Sequence, residues 1–201
     1  MAPFRLSRLA AAAAVPLLLA GCSAAPAPAG ATGTPAAAAA SATASGDVAS
    51  RHGLSGLDTK AIIERLDQTN DDRASGPGGS VRGFEFVLSD DAGEQTMALP
   101  EGQFYLALAP YENRTHDCFN HSTQSCQGEL VGKKVHVTIT DSTGERLVDA
   151  DATTYPNGFV GFWLPRDKQG TIEVTYDGKK AASPFSTGAD GASCVTTLPL
   201  R

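Results

Sequence analysis

From Val81 onward, short runs of β-branched and aromatic residues are interrupted by turn residues about every eight to twelve positions. That spacing is too short for helices of ordinary length and matches an all-β unit. Strands are predicted over residues 81–89, 94–99, 103–109, 133–140, 145–151, 158–164, 171–176, 179–186 and 193–198. Within one of them Val135, Val137 and Ile139 alternate with His136, Thr138 and Thr140, so one face is apolar and the other wet. Asp177-Gly178 reads as a two-residue hairpin turn, and Asp90-Asp91-Ala92-Gly93 and Asp141-Ser142-Thr143-Gly144 as four-residue loops.

Ahead of the strands, Leu57, Ala61, Ile62 and Leu66 fall on one helical face, with Asp58 placed to cap and Leu57 and Ile62 to form a hydrophobic staple. The helix is expected to stop at Asn70-Asp71-Asp72 and Gly76-Pro77-Gly78-Gly79. The predicted fold is therefore mainly β (α+β): a short N-terminal amphipathic helix, then antiparallel strands, with a sandwich-like C-terminal part. Residues 52–112 would make a helix and β subdomain, and residues 113–201 the Cys/His stretch with the C-terminal β domain.

The first 51 residues carry location and little fold. Arg5 and Arg8 precede an apolar run over residues 9–19, and Leu19-Ala20-Gly21-Cys22 follows, the pattern of a lipoprotein signal over residues 1–21. The run is too short to span a bilayer. Cleavage before Cys22 and lipidation of its thiol would anchor the chain on the outer face of a membrane. Residues 22–51 are chiefly Ala, Pro, Ser, Thr and Gly and are expected to form a disordered tether. The net charge of -6, with no Lys/Arg cluster beyond Lys133-Lys134 and Lys179-Lys180, excludes a nucleic-acid partner.

Two of the four histidines and two of the four cysteines fall within residues 115–126. His116, Cys118, His121 and Cys126 offer imidazole and thiolate donors, which suit Cu(I) and zinc, and Cys194 supplies one more thiol. His116 and Cys118 share a side if the segment is extended, and all could converge with Cys126 or Cys194. His52 and His136 read as solvated and Trp163 as core. After lipidation of Cys22 three thiols remain in an oxidising compartment, so one bridge leaves one thiol over. In the chain-entropy model a Cys118–Cys126 bridge would contribute about 2.5 kcal/mol and the longer Cys126–Cys194 loop about 4.4 kcal/mol, so either would help a small β domain. Three classes stand: a metal binder, a thiol-disulfide or Cu(II)-reducing redox protein, and a disulfide-stapled scaffold without metal.

Several segments resemble the CueP family of envelope copper-binding proteins. They are Phe104-Tyr105-Leu106-Ala107-Leu108-Ala109-Pro110-Tyr111, Thr115-His116-Asp117-Cys118-Phe119-Asn120-His121, Ser125-Cys126-Gln127-Gly128-Glu129, Asn157-Gly158-Phe159, Trp163-Leu164-Pro165-Arg166 and Cys194-Val195-Thr196-Thr197. The resemblance runs from about Asp58 to the C-terminus. It implies an extracytoplasmic protein that binds copper through Cys118, Cys126 and Cys194; thiolate softness makes Cu(I) the expected ion, with His116 and His121 as additional or alternative donors and zinc as the other metal the donors suit. It also implies a role in copper tolerance, Cu(II) reduction through thiols or handover to a cuproenzyme, and an N-terminal part able to support a homodimer. The lipobox and tether depart from the enterobacterial pattern and imply sequestration at the membrane, or receipt from an exporter beside it. A thiol-disulfide partner would serve the redox class.

Cys118, between two histidines in a polar loop, is expected to be the most thiolate-rich and accessible thiol. The oxidised metal-free protein is therefore expected to carry a Cys126–Cys194 bridge. Because Cys22 is the only candidate anchor in this reading, Cys22→Ala should move the processed protein from the membrane to the soluble fraction. Retention in the membrane after signal cleavage would contradict it.

Overall fold

The computed structural model describes residues 47–69 and 73–201; the signal-like segment, Cys22 and the tether up to Gly46 lie outside the described residues. Residues 47–51, which the sequence assigns to the tether, are structured. Helix α1 (Val48–Arg51) is capped by Asp47, which accepts from the Ser50 N–H at 2.7 Å, and it buries Val48 and Ala49. Arg51 forks onto the Asp90 carboxylate with two bonds of 2.8 Å. Four residues are too few to show a helical period, so the segment reads as tether in the sequence.

Helix α2 (Thr59–Thr69) starts where Asp58 accepts from the Ala61 N–H at 2.8 Å. Its buried face is Ile62, Ile63, Leu66 and Asp67. Leu57 remains 39 % exposed, so the predicted face is rotated and the staple residue is not buried. The buried face includes a carboxylate, Asp67, whose partners are described below.

The ten strands of the described residues form three sheets. Strands β1 (Gly78–Arg82), β2 (Glu85–Asp90) and β3 (Gly93–Ala98) make an antiparallel meander. The single strand predicted over 81–89 is in fact a hairpin, because Gly83 takes φ 54° and turns the chain so that Arg82 faces Glu85. The central sheet is β10 (Cys194–Pro199), β4 (Gln103–Tyr111) and β7 (Val160–Pro165), with β7 antiparallel and β10 parallel to β4. The third sheet runs β6-β5-β8-β9, from β5 (Lys134–Asp141), β6 (Arg146–Thr153), β8 (Gln169–Tyr176) and β9 (Lys179–Ser186), all antiparallel. Asp177 (φ 48°) and Gly178 (φ 76°) make the predicted tight turn between Tyr176 and Lys179.

β4 is buried on both faces. Phe104, Leu106 and Leu108 join β7, β10 and the four-stranded sheet in one core, while Tyr105, Ala107 and Ala109 join α1, α2 and the meander in the other. The molecule is thus mainly β with short N-terminal helices. β4, on the N-terminal side of residue 112, pairs with β7 and β10 on the C-terminal side. Trp163 packs against the core shared by Tyr105, α1 and α2, its ring centroid 4.9 Å from that of Tyr105 and its indole N–H donating to Glu64 at 2.9 Å.

Gly161, opposite Ala107, lies against the Tyr105 ring so closely that a Cβ would overlap it. Gly161→Ala is therefore expected to lower stability by about 1–3 kcal/mol by forcing Tyr105 to move. An unchanged denaturation midpoint would contradict this packing.

Candidate metal centre

After β4 the chain runs without strand until β5, and its backbone groups must find partners one at a time. Glu129 clasps the first bend, accepting from the N–H groups of Glu112 (2.7 Å) and Asn113 (2.9 Å) and from the Asn113 amide (3.0 Å). These bonds, the Asn113 N–H foremost, hold its carboxyl down at about 2. Further on, Val81 N–H donates to His121 O at 2.9 Å, Thr123 N–H to Gly79 O at 3.0 Å, and Cys194 N–H to Phe119 O at 3.1 Å. The Ser193 hydroxyl accepts from the His121 N–H at 2.9 Å and donates to Val81 O at 2.7 Å. Gly128 N–H donates to Asn157 O at 2.7 Å, and Gly128 and Gly158 meet backbone to backbone where a side chain on either would clash. The loop is thereby sewn between β1, the start of β10 and the β6–β7 connection.

That sewing brings four of the five predicted donors together. Ligand atoms of His116, Cys118, Cys126 and Cys194 all lie within 4.8 Å of one another. Cys118 and Cys194 are joined as a disulfide, with Cα atoms 5.7 Å apart, and Cys126 is a buried free thiol. The expected Cys126–Cys194 bridge is therefore corrected. The bond from Cys194 N–H to Phe119 O lays residues 118–119 beside the start of β10, whereas Cys126 is folded back into a turn by its N–H bond to Ser122 O at 3.2 Å. The Cys126 sulfur accepts from the Ser122 N–H at 3.4 Å and lies 3.4 Å from the Cys118 sulfur. The ring of His116 meets Phe159 edge-on at 6.1 Å, and its buried Nε2 has no hydrogen-bond partner. With its three cysteine sulfurs and an imidazole this close together, the group could hold a metal ion; the buried Nδ1 of His121 likewise has no hydrogen-bond partner.

His121, predicted as a donor, falls outside this group. It is fully buried, and its Nε2 is 2.8 Å from the Asp67 carboxylate of α2. Asp67, equally buried, also accepts from the Tyr105 hydroxyl at 2.5 Å and the Asn157 amide at 2.6 Å. Burial alone would push the His121 imidazole down, but Asp67, with a smaller contribution from Cys126, raises it to about 9. Burial would raise the Asp67 carboxyl, yet the His121 charge and the three donors hold it below the ordinary carboxylate range. His121 is thus a support behind Cys126 with its charge compensated.

Asp67, Tyr105, Asn157 and Glu129 were not read as site residues from sequence. Asp67 was detectable, since it follows Ile63 by four positions and so continues the apolar face of α2. His136 pairs at the surface with Asp149 and Asp151 and the partly buried His52 with Asp90, and neither belongs to the four-donor group.

The chain as a whole is similar to known proteins. Residues 61–199 match the family model described as periplasmic copper-binding protein CueP. The crystal structure of S.CueP superposes with a TM-score of 0.73 at 44 % sequence identity, covering 76 % of this chain and 94 % of that one. No curated protein matches the chain.

Asp67→Ala would leave the His121 imidazolium and two donors facing a buried void, at a cost of about 3–5 kcal/mol. The raised pKa of His121 means that its contribution is complete below the ordinary value of 6.5 and is lost as pH climbs through about 9. The lowered pKa of Asp67 means that its contribution is complete above 3.8 and is lost as pH falls further. The stability difference between wild type and variant should therefore form a plateau that declines on both sides; a difference independent of pH would contradict the pairing.

Proposed function

The chain belongs to the CueP family of periplasmic copper-binding proteins, and from that premise we propose that its reduced form holds one Cu(I) ion through the thiolates of Cys118, Cys126 and Cys194, with His116 as a fourth donor. The observation that carries this reading is the convergence of those four ligand atoms within 4.8 Å. Cu(I) is soft and accepts low coordination, so three thiolates satisfy it. Three thiolates and an imidazole also suit zinc, and copper is preferred on family membership.

Two of the three sulfurs are joined to each other in the structure. Binding therefore begins with a two-electron reduction of the Cys118–Cys194 bridge, supplied by a dithiol partner, which opens both sulfurs toward Cys126 and His116. The reverse direction supports the second reading: closing the bridge releases two electrons, enough to reduce two Cu(II) ions to Cu(I). Copper is cargo in the first case and electron acceptor in the second. Lipidation of Cys22 and the tether would keep the centre at a membrane, suited to sequestering copper or taking it from an exporter, with handover to a cuproenzyme limited by the tether's reach. A homodimer through the N-terminal part remains a proposal from family likeness.

The reduced protein, kept from air, is expected to bind one Cu(I) per chain, and replacing any one of the three cysteines by Ser should weaken it at least about tenfold in competition with a Cu(I) chelator. Undiminished competition by all three variants would contradict the three-thiolate site.

A further inference from the structure

Three sulfurs in one buried cluster are chemically distinct when two of them are already joined. Cys126 is free and its sulfur is 3.4 Å from that of Cys118, one end of the bridge. That separation is about a van der Waals contact, and because the Cys126 sulfur also lies within 4.8 Å of the Cys194 sulfur, its side chain must swing about the Cys118 sulfur to attack in line with the bridge. The Cys126 backbone is fixed by its N–H bond to Ser122 O, while the Ser122 N–H donates to the sulfur at 3.4 Å, a contact that favours negative charge on it. Cys126 and Cys194 are 6 % and 2 % exposed, whereas Cys118 is only partly buried.

We propose that the three cysteines form an internal thiol-disulfide exchange site in which the Cys118 sulfur is common to two bridges, Cys118–Cys194 and Cys118–Cys126. In the step, the Cys126 thiolate attacks the Cys118 sulfur. A bond forms between those two sulfurs, the Cys118–Cys194 bond breaks, and Cys194 leaves with the electron pair as a thiolate. One thiolate is consumed and one released, so the exchange needs no oxidant or reductant. Cys118, the most exposed of the three, is then the sulfur an external thiol would meet in either isomer. The oxidised chain always keeps one free thiol beside His116, and the exchange decides whether it comes from the loop or from the start of β10.

β10 does not depend on the bridge for its place. It pairs with β4 from Cys194 to Pro199, and Arg201 exchanges backbone bonds with Lys180 at 2.9 and 3.1 Å. Moving the bridge into the loop therefore leaves the strand docked. The inference concerns the oxidised, metal-free chain and rests on the three thiols forming one site, the premise it shares with the copper reading.

The test is to equilibrate oxidised, metal-free protein without air at mildly alkaline pH, quench it in acid, alkylate in acidic denaturant and map the peptides. The expected result is two isomers, with Cys194 alkylated and Cys118 bridged to Cys126 in about a tenth of the chains or more, and in none of the Cys126→Ser control. Cys126 as the only alkylated thiol in the wild type overturns the proposal. In a second measurement, one equivalent of oxidant should close a Cys118–Cys126 bridge within the monomer of Cys194→Ser; two remaining free thiols, or linkage between chains, likewise overturns it. Copper uptake by the fully reduced wild type is measured alongside. Exchange without uptake upholds this step and tells against the copper reading, and uptake without exchange overturns this step alone.

Discussion

The buried carboxylate of Asp67 is the interaction on which the centre depends. Taking a carboxylate and an imidazolium out of water costs several kcal/mol for each ion, and the cost is offset only by close geometry and full hydrogen bonding. Asp67 meets both conditions with donors from three separate parts of the chain: Tyr105 of β4, His121 of the Cys/His loop and Asn157 of the β6–β7 connection. One carboxylate thereby fixes α2, the central strand and two loops relative to one another. Because His121 is locked at Nε2, the loop on either side of it is locked too, and Cys118 and Cys126 inherit their positions from that lock.

The remaining sulfur arrives by a different route. β10 is the one strand among the described residues that joins its sheet in parallel, and its first residue, Cys194, comes to lie opposite Ala107 of β4. Ala107 faces the core that α2 shares, so the start of β10 points its sulfur toward the same layer as Asp67. The disulfide to Cys118 spans 76 positions and in the chain-entropy model contributes about 4–5 kcal/mol. Reduction gives up that contribution, but the paired strand and the Asp67 network persist. Opening the bridge is therefore a local chemical event at the site rather than an unfolding of it.

How much of this was legible in the sequence follows from the range of each interaction. Period-two patterning and turn residues act locally, so nearly every strand and the Asp177-Gly178 turn were readable, and the hairpin hidden in residues 81–89 was missed because a single Gly83 marks it. The cluster of His116, Cys118, Cys126 and Cys194 was readable as a set of donors. Which sulfur bonds which was not, since the pairing is decided by the Cys194 N–H to Phe119 O bond between residues 75 positions apart (194 minus 119). His121 looked like a ligand because its partner, Asp67, lies 54 positions away on a helix whose polar residue would ordinarily face water.

The claim that these residues form a copper thiolate centre is tested most directly by X-ray absorption at the copper edge of the reduced, Cu(I)-loaded protein. The account predicts a Cu(I) edge and an inner shell dominated by three sulfur scatterers. A shell dominated by nitrogen or oxygen, or containing a single sulfur, would contradict it.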